Sequence, residues 1–363
     1  MLNSTPFQAA SFAHGAADGA AQQILLVKGT WRLVSGKLAA ADRQLPLLRD
    51  AITVRLFALP LEPVQCAALK GCEHEIWTRF ESDYTPPKPC FDLLINGWAQ
   101  TNDAKAYQRI PCAVEFNAKR LLDLHGHAPR HWSRAAVLDP AIEAALPVHR
   151  VPMLYPFAFG GCGPREQRDQ NERDPKANTP AAPARWPHNQ YGMGYHHAAK
   201  AARQMPLPWI EFPKKPIRHW NDTPPVLALG HTSVADLPRR ALQGTFDDVW
   251  RTRRAPALPL DFDPRSRNAA AEPLQLATCP KAGDVLTLLN LGPGAHHTIR
   301  FPSLRLEAQA ERADGTRLTS HWPVWDTLIA EPEEDHFALV WRAAIPDPGG
   351  RLSRITLLAR AQE

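Results

Sequence analysis

Residues 24–38 read ILLVKGTWRLVSGKL, and this stretch contains two strand patterns joined by a turn. After four apolar residues, Lys28, Thr30 and Arg32 alternate with apolar neighbours, as in a strand that buries one face. Ser35 and Gly36 are typical turn residues, and an apolar residue follows them. The stretch therefore predicts an antiparallel β-hairpin whose polar face, formed by Lys28, Thr30 and Arg32, is half exposed.

The same alternation of strands and turns recurs along the chain. A buried strand is predicted at 91–98, a hairpin at 110–125 with its turn at 117–119, and further strands at 285–291, 298–306, 325–330 and 337–343. Gly-containing turns are predicted at 292–294 and 313–315. Helical patterns occur only at 140–146 and 195–204. Strands therefore dominate the expected fold.

Composition favours the same fold class. The chain has 363 residues, of which 36 are proline and 44% are hydrophobic. Proline removes a backbone donor and interrupts helices, while the hydrophobic fraction suffices for a packed core. We predict a mainly β protein with antiparallel sheets in sandwich-like layers, long Pro-rich loops and a few short helices.

The composition changes between residues 160 and 187, where Gly, Pro, Asn and charged residues replace large apolar ones. This segment is predicted to be a surface loop. It would separate a β-rich N-terminal subdomain, 1–159, from a β-rich C-terminal subdomain, 188–363. One continuous fold is the alternative.

Charge and apolar runs exclude several classes of protein. The formal net charge is +5, with acidic and basic residues interspersed, so we expect no nucleic-acid binding. No apolar run approaches the length of a membrane span, so we expect no membrane insertion. The N-terminal residues lack a secretory leader pattern, and the six cysteines are scattered. These features predict a cytoplasmic protein with reduced thiols.

No catalytic or cofactor motif is present: the sequence lacks a nucleophile elbow, a Walker loop, a dinucleotide fingerprint and a Cys-x-x-Cys pair. His125, His127 and His131 offer three imidazoles within seven residues. Gly126 and Pro129 prevent a helix from aligning them, so we interpret them as exposed loop histidines. We therefore expect no cofactor and no metal.

Two groups of carboxylates remain as candidate sites. Glu81, Asp83, Lys88 and Asp92 lie among prolines and are expected to lock a loop against a sheet through hydrogen bonds; a catalytic carboxylate pair is the alternative.

Asp261 and Asp263 form the second group and could bind Mg²⁺ or act in acid–base chemistry. A turn capped by Asp263, with an ion pair to Arg265, explains the same residues and is the interpretation we favour.

Several blocks of the sequence resemble the bacterial domain of unknown function 2169 family. The chain opens with NSTPF at 3–7 and LLVKGTW at 25–31, and six blocks follow in the family's order. They are FESDYTPPKP at 80–89 with Asp92, VPMLY at 151–155 with AFGG at 158–161, NQYGMGY at 189–195, GTFD at 244–247 with Trp250, LPLDFDPR at 258–265 with Asn268, and WDT at 325–327 with LVWR at 339–342. Pro156 and Phe157 depart from the family, which has Glu-Arg there.

The resemblance implies a type VI secretion adaptor or chaperone. Such a protein would bind a PAAR-type effector or spike-tip protein and help load it onto the valine–glycine-repeat spike. It would not be an enzyme. The resemblance also marks a set of residues as partner-binding or structural: Glu81, Asp83, Lys88, Asp92, Tyr155, Asp261, Asp263 and Arg265.

Two other functions stay open. One is a β-rich hydrolase or carbohydrate-active enzyme that uses the carboxylates Glu81/Asp83 or Asp261/Asp263. The other is a structural component of the secretion particle. If the protein is an adaptor, the 160–187 segment and a nearby sheet edge are expected to help capture the partner by strand addition.

Overall fold

A computed structural model describes residues 1–15, 19–69, 76–133, 141–161, 185–195 and 206–361. The strands, in chain order, are β1 Leu2–Asn3, β2 Gln8–Gly15, β3 Ala21–Val34, β4 Lys37–Ala40, β5 Ile52–Arg55, β6 Ile76–Phe80, β7 Phe91–Ile95, β8 Trp98–Gln100, β9 Arg109–Phe116, β10 Lys119–His127, β11 Arg130–Trp132, β12 Ile142–Ala144, β13 Arg150–Pro152, β14 Phe159–Gly160, β15 Met193–Gly194, β16 Pro206–Leu207, β17 Ile210–Glu211, β18 Gln275–Leu276, β19 Val285–Leu289, β20 His296–Arg300, β21 Leu304–Arg312, β22 Val324–Glu331, β23 His336–Pro346 and β24 Leu352–Ala361.

Helices are few and short in the described part of the chain. The α-helices are α1 Pro63–Ala68, α2 Leu237–Arg240 and α3 Asp248–Arg253. Single 3₁₀ turns lie at Leu56–Ala58, Tyr155–Phe157, Pro264–Arg267, Glu272–Leu274 and Pro332–Glu334. The prediction of a mainly β fold with antiparallel sheets and short helices is confirmed.

A twelve-stranded sheet organises the molecule. Its strand order is β17-β10-β9-β19-β20-β4-β3-β23-β22-β7-β18, and β2 pairs with β3. Most neighbours are antiparallel; β22 with β7 and β20 with β4 are parallel. A second sheet, β1-β24-β21, adds Leu306, Ala308 and Leu357 to the same hydrophobic core, so the two sheets share one interior.

The main sheet consists of two runs of strands that meet between β20 and β4. Arg300 and Lys37 form the one register pair described between these strands. Side chains span the junction as well: the Phe301 ring lies 5.9 Å from Phe91 of β7 and 6.2 Å from Phe116 of β9. Backbone pairing is therefore sparse there, and aromatic packing supplies much of the contact.

Both predicted hairpins are confirmed. β3 and β4 are joined at Ser35 and Gly36, with φ of 49° and 76°. β9 and β10 are joined at Asn117 and Ala118, with φ of 49° and 61°. Two successive residues with positive φ give a turn whose twist matches that of the flanking strands, which explains why such short connections suffice.

The predicted exposure of β3 is wrong at two of three positions. Lys28 is 4% exposed and Thr30 is 0% exposed, whereas Arg32 is exposed as expected. The segment after β4 covers this face: Leu45 N donates to Thr30 Oγ1 at 2.8 Å, and Gln44 bonds to the Thr30 backbone. An alternating pattern shows which residues share a face but not what covers that face.

Two local predictions also fail. Residues 141–146 are not helical; β12 forms there because it pairs with β11, with Ile142 opposite Trp132. Tertiary pairing here outweighs a weak helical preference. The strand predicted at 298–306 is divided into β20 and β21 at Pro302, which has no backbone donor for a ladder. In the helix predicted at 195–204, residues 196–204 lie outside the described residues.

The main sheet takes strands from both predicted subdomains. Strands from the N-terminal part (β10, β9, β4, β3 and β7) are interleaved with strands from the C-terminal part (β19, β20, β23 and β22). Most of the 160–187 segment lies outside the described residues, so the proposed division of the chain stays a prediction. Within the described ranges, no helix is long and apolar enough to cross a membrane.

Candidate functional site

Asp83 lies just after β6 and is buried against β3. Lys28 Nζ is 2.9 Å from Asp83 Oδ2, and each side chain is 5% exposed. Leu48 N donates to the same carboxylate oxygen at 2.8 Å, and Arg342 Nη2 donates to the Asp83 carbonyl at 2.9 Å. Because buried charges need partners, this pairing fixes the segment after β6 on the sheet.

Lys88 and Asp92 form a second buried ion pair around the Pro-rich loop. Lys88 Nζ lies 2.7 Å from Asp92 Oδ2. Asn268 Nδ2 donates to Asp92 Oδ1 at 2.9 Å, and Ala269 N donates to Asp92 Oδ2 at 2.8 Å. The FESDYTPPKP block and the LPLDFDPR block are therefore joined through one carboxylate.

Asp326 of β22 and Arg342 of β23 complete this network, although neither was predicted from the sequence to have a role. They are hydrogen-bonded to each other, each with a 3% exposed side chain, and Lys88 N donates to Asp326 Oδ2 at 3.2 Å. The available signal was a charge of each sign within adjacent apolar strands, which burial would force to pair. We call the set the buried ion network: Lys28, Asp83, Lys88, Asp92, Asp326 and Arg342.

Glu81 is paired with Arg239 of α2, a partner that was not predicted from the sequence. Arg239 Nη1 donates to Glu81 Oε1, Arg239 Nη2 donates to Oε2 at 3.1 Å, and Arg239 Nε donates to the Ser266 carbonyl at 3.0 Å. Burial tends to raise the pKa of Glu81, but the charge and hydrogen bonds of Arg239 outweigh it and hold the pKa below its ordinary value. The carboxylate is thus ionised and fully engaged.

Tyr155 lies in the 3₁₀ turn Tyr155–Phe157 and is 5% exposed. Burial raises the pKa of its phenol. Pro156 and Phe157 are buried too, and the Phe157 ring stacks on Trp209 at 4.7 Å. In this chain the departure from the family's Glu-Arg therefore lies in the core rather than on the surface.

A cavity of about 380 Å³ adjoins Tyr155 and is lined largely by apolar and proline residues. Its charged lining residues are Asp236, Arg239 and Glu272. Arg239 is held by Glu81, and Asp236 accepts a hydrogen bond from Gln190 N at 3.0 Å. Burial raises the pKa of Asp236 above its ordinary value.

Asp261 and Asp263 lie in a surface segment, residues 243–263, that we call the 243–263 lobe. Arg265 lies in the 3₁₀ turn that follows it. Asp261 accepts hydrogen bonds from Thr245 N at 2.9 Å and Thr245 Oγ1 at 2.7 Å, and these bonds lower its pKa. Asp263 accepts from Arg265 N and Arg265 Nε, both at 2.9 Å. Hydrogen bonds from Arg265 likewise lower the pKa of Asp263. The two carboxylates therefore fix turns through different partners.

Helix α3 forms the outer part of the lobe. Asp247 caps it by accepting from Trp250 N at 2.7 Å, and Trp250 Nε1 donates to the Ala257 carbonyl at 2.8 Å. These bonds close the lobe on itself without burying its large apolar side chains. Phe246 is 55% exposed, Val249 59% and Leu260 85%. The polar motif residues thus hold a surface on which apolar side chains face solvent.

The interpretation of His125 and His127 as exposed loop residues is wrong. Both lie in β10, and His127 is 7% exposed. Gly126 excludes a helix but not a strand, and alternation in a strand puts His125 and His127 on one face. His131 is in β11 and exposed, 3.2 Å from Glu143. The three imidazoles therefore do not form one site.

The carboxylates named from sequence are thus each engaged by a base or by turn amides, and no open pair of them is seen among the described residues. The segment 160–187, predicted to help capture a partner, falls largely outside those residues. What the geometry offers instead is a rigid interior network and an exposed apolar lobe, both built from the sequence blocks.

No curated protein and no solved structure matches the chain. One family model matches residues 18–342, and its description is "Uncharacterized protein conserved in bacteria (DUF2169)". That match covers all six internal blocks and most of the main sheet. The chain therefore belongs to the DUF2169 family of bacterial proteins.

Proposed function

We propose that this protein is a type VI secretion adaptor or chaperone that binds a PAAR-type effector or spike-tip protein and helps load it onto the spike. The secretion role comes from the family resemblance of the sequence blocks. The structural observation that supports a binding role is the 243–263 lobe, where motif residues hold Phe246, Val249 and Leu260 exposed.

The lobe has the properties of a protein-binding surface. Phe246 packs edge-on against Trp250 of the capped helix α3, with ring centroids 4.7 Å apart, and Leu260 is exposed in the same lobe. Exposed clustered apolar groups are costly in water and gain free energy when a partner covers them. Aromatic anchors often carry much of the binding free energy. The lobe is thus a suitable anchor for an apolar effector surface.

Arginines accompany the apolar side chains. Arg251 is exposed on α3, with Asp248 2.9 Å away, and Arg253 is exposed as well. Peripheral charge affects the association rate and the choice of partner more than final affinity. In an adaptor, peripheral charge can thus select the partner without making the complex too tight. The cargo must still be released, because the spike must compete successfully for the same effector.

The enzyme alternative has weaker support. A hydrolase needs carboxylates that are free to donate or accept a proton near substrate. Glu81 is bound by Arg239, Asp83 by Lys28, and Asp261 by Thr245. These arrangements are those of structural residues.

The test is co-expression with a PAAR-type protein from the same bacterium, followed by affinity purification and size-exclusion chromatography. We expect a stoichiometric complex and a partner that aggregates when expressed alone. Leu260→Asp should weaken the complex by roughly tenfold or more, since it puts a charge into the apolar anchor.

Leu146→Asp is the matched control, because Leu146 is also an exposed leucine, at 73%, and lies outside the lobe. It should bind like the wild type. Loss of binding in both variants would point to a general effect of charge, and normal binding by Leu260→Asp would remove the lobe from the proposal. Failure of the wild type to bind a partner that is soluble alone would contradict the adaptor function itself.

A further inference from the structure

Two histidines and a glutamate meet on one face of the main sheet. β10 pairs with β17 so that His125 lies opposite Glu211 and Gly126 opposite Ile210. His127 is two residues from His125 and therefore shares its face. Cross-strand neighbours on one face of an antiparallel pair lie close enough to contact. The pairing of β10 with β17 thus assembles the three side chains.

The donor atoms are near each other. One ligand atom from each of His125, His127 and Glu211 lies within 4.8 Å of the others. His127 Nε2 is 3.2 Å from Glu211 Oε2. Two ligands at about 2.0–2.1 Å from a tetrahedral Zn²⁺ are roughly 3.3–3.4 Å apart, so this pair already has the spacing that the ion requires.

One of these atoms is a buried imidazole nitrogen. His127 Nε2 is buried with Glu211 Oε2 3.2 Å away, but it makes no well-formed hydrogen bond among the described residues. A buried polar nitrogen without a partner is costly. A bound cation would satisfy it, because a neutral imidazole offers the lone pair that metals bind.

The other carboxylate oxygen of Glu211 is held from behind. Ile217 N donates to Oε1 at 3.0 Å, and Arg130 Nη2 lies 3.4 Å from the same atom. Oε2 is left facing His127. Outer hydrogen bonds that orient a ligating carboxylate are a regular part of metal sites. The positive charge of Arg130 disfavours a metal ion nearby. Arg130 contacts Glu211 Oε1, however, whereas the ion would bind Glu211 Oε2, on the side of His127.

We propose that His125, His127 and Glu211 form a Zn²⁺ site in this protein. Two imidazoles and one carboxylate are a ligand set that Zn²⁺ takes with a fourth position left to water. His125 is only partly buried, so the site has a side toward solvent. This inference is independent of the adaptor function and does not require a partner.

The experiment uses the full chain purified without a polyhistidine tag, treated with EDTA and dialysed. Zn²⁺ is then added in competition with a chromophoric chelator, and Co²⁺ is added separately to read the ligand geometry from its visible spectrum. We expect one ion per chain and a tetrahedral Co²⁺ spectrum. His125→Ala and His127→Gln should each weaken binding by at least roughly tenfold, because even outer partners of a metal ligand are worth about 10–100-fold.

His131→Ala is the control: His131 is in the same short stretch of sequence but is not one of the three grouped ligands, and its Nε2 lies 3.2 Å from Glu143 Oε2. It should bind Zn²⁺ as the wild type does. No binding by the wild type, or binding unchanged in both His125→Ala and His127→Gln, would overturn the proposal. If His127→Gln does not fold, His125→Ala decides, because His125 is the less buried ligand.

Discussion

Lys28 and Arg32 occupy the same strand and each pairs with an aspartate, but their surroundings differ. Lys28 and Asp83 are both 5% exposed, whereas Arg32 and Asp335 are 62% and 40% exposed. A buried ion that loses its partner is left without water, while an exposed one is solvated. Position, rather than the type of contact, decides what each pair contributes.

We expect Lys28→Met to lower the free energy of unfolding by about 3–5 kcal/mol, because it leaves the Asp83 carboxylate buried without its cation. Arg32→Met should cost less than about 1 kcal/mol. Urea denaturation followed by tryptophan fluorescence measures both. Equal costs for the two variants would show that Asp83 does not depend on Lys28.

His231 makes stability depend on pH. It is 5% exposed, and burial lowers its pKa to about 4 from an ordinary 6.5, with Glu81 opposing the shift and Lys88 and Arg239 adding to it. Between pH 6.5 and 4 the unfolded chain binds the proton and the folded chain does not. The free energy of unfolding therefore falls as the pH falls through this window.

We expect this one residue to remove about 3 kcal/mol of stability by pH 4 relative to neutral pH. His231→Gln should lack that part of the pH dependence. Urea denaturation of both proteins at a series of pH values from 7 to 4 provides the comparison. Parallel curves for wild type and variant would mean that His231 does not titrate as described.

Among the secondary-structure elements, the turns were the easiest feature to predict from the sequence. The hardest was which segment covers each face of a strand. Ser35-Gly36 and the turn at 117–119 were found because each contains a residue that tolerates positive φ, Gly36 or Asn117, so the signal is local. β12 was missed because it depends on pairing with β11, and the burial of Lys28 was missed because it depends on Asp83, 55 residues away. The lobe's blocks were recognised from sequence, but their outward-facing apolar side chains were not.

Gly244 controls the conformation of the 243–263 lobe. Its φ is +81°, and a Cβ there would lie 2.8 Å from Pro259 Cβ and 2.9 Å from Asp261 Oδ1. Gly244→Ala should therefore displace Asp261 from Thr245 and open the lobe. Trypsin cleavage after Arg251 and Arg253, followed by mass spectrometry, should become roughly tenfold faster, as expected for about 1.4 kcal/mol of local destabilisation.

Gly294→Ala is the comparison, since Gly294 has the same φ of +81° but no atom within 4 Å of the place that a Cβ would occupy. Both variants carry the backbone strain of an L-residue at positive φ. Only the Gly244 variant adds a clash. Equal cleavage in the lobe for the two variants would show that the contacts around Gly244 do not hold the lobe closed.

Across the whole molecule, the sequence identified the blocks that contain the site residues. It did not show which of these residues pair with each other. Lys28 and Asp83 are 55 residues apart, and Glu81 and Arg239 are 158 apart. No local pattern indicates which distant base meets which carboxylate. Burial decides it, because each charge on the interior face of a sheet must find an opposite charge in the one place where the strands bring one.

The narrow junction between β20 and β4 has a mechanical meaning. A force that pulls the main sheet apart across its strands would be shared by many residue pairs between β3 and β23. At the junction it would fall on the single register pair Arg300–Lys37. We expect the two runs of strands to separate first between β20 and β4. Phe301, held between Phe91 and Phe116, is the side chain that would have to be drawn out as they separated.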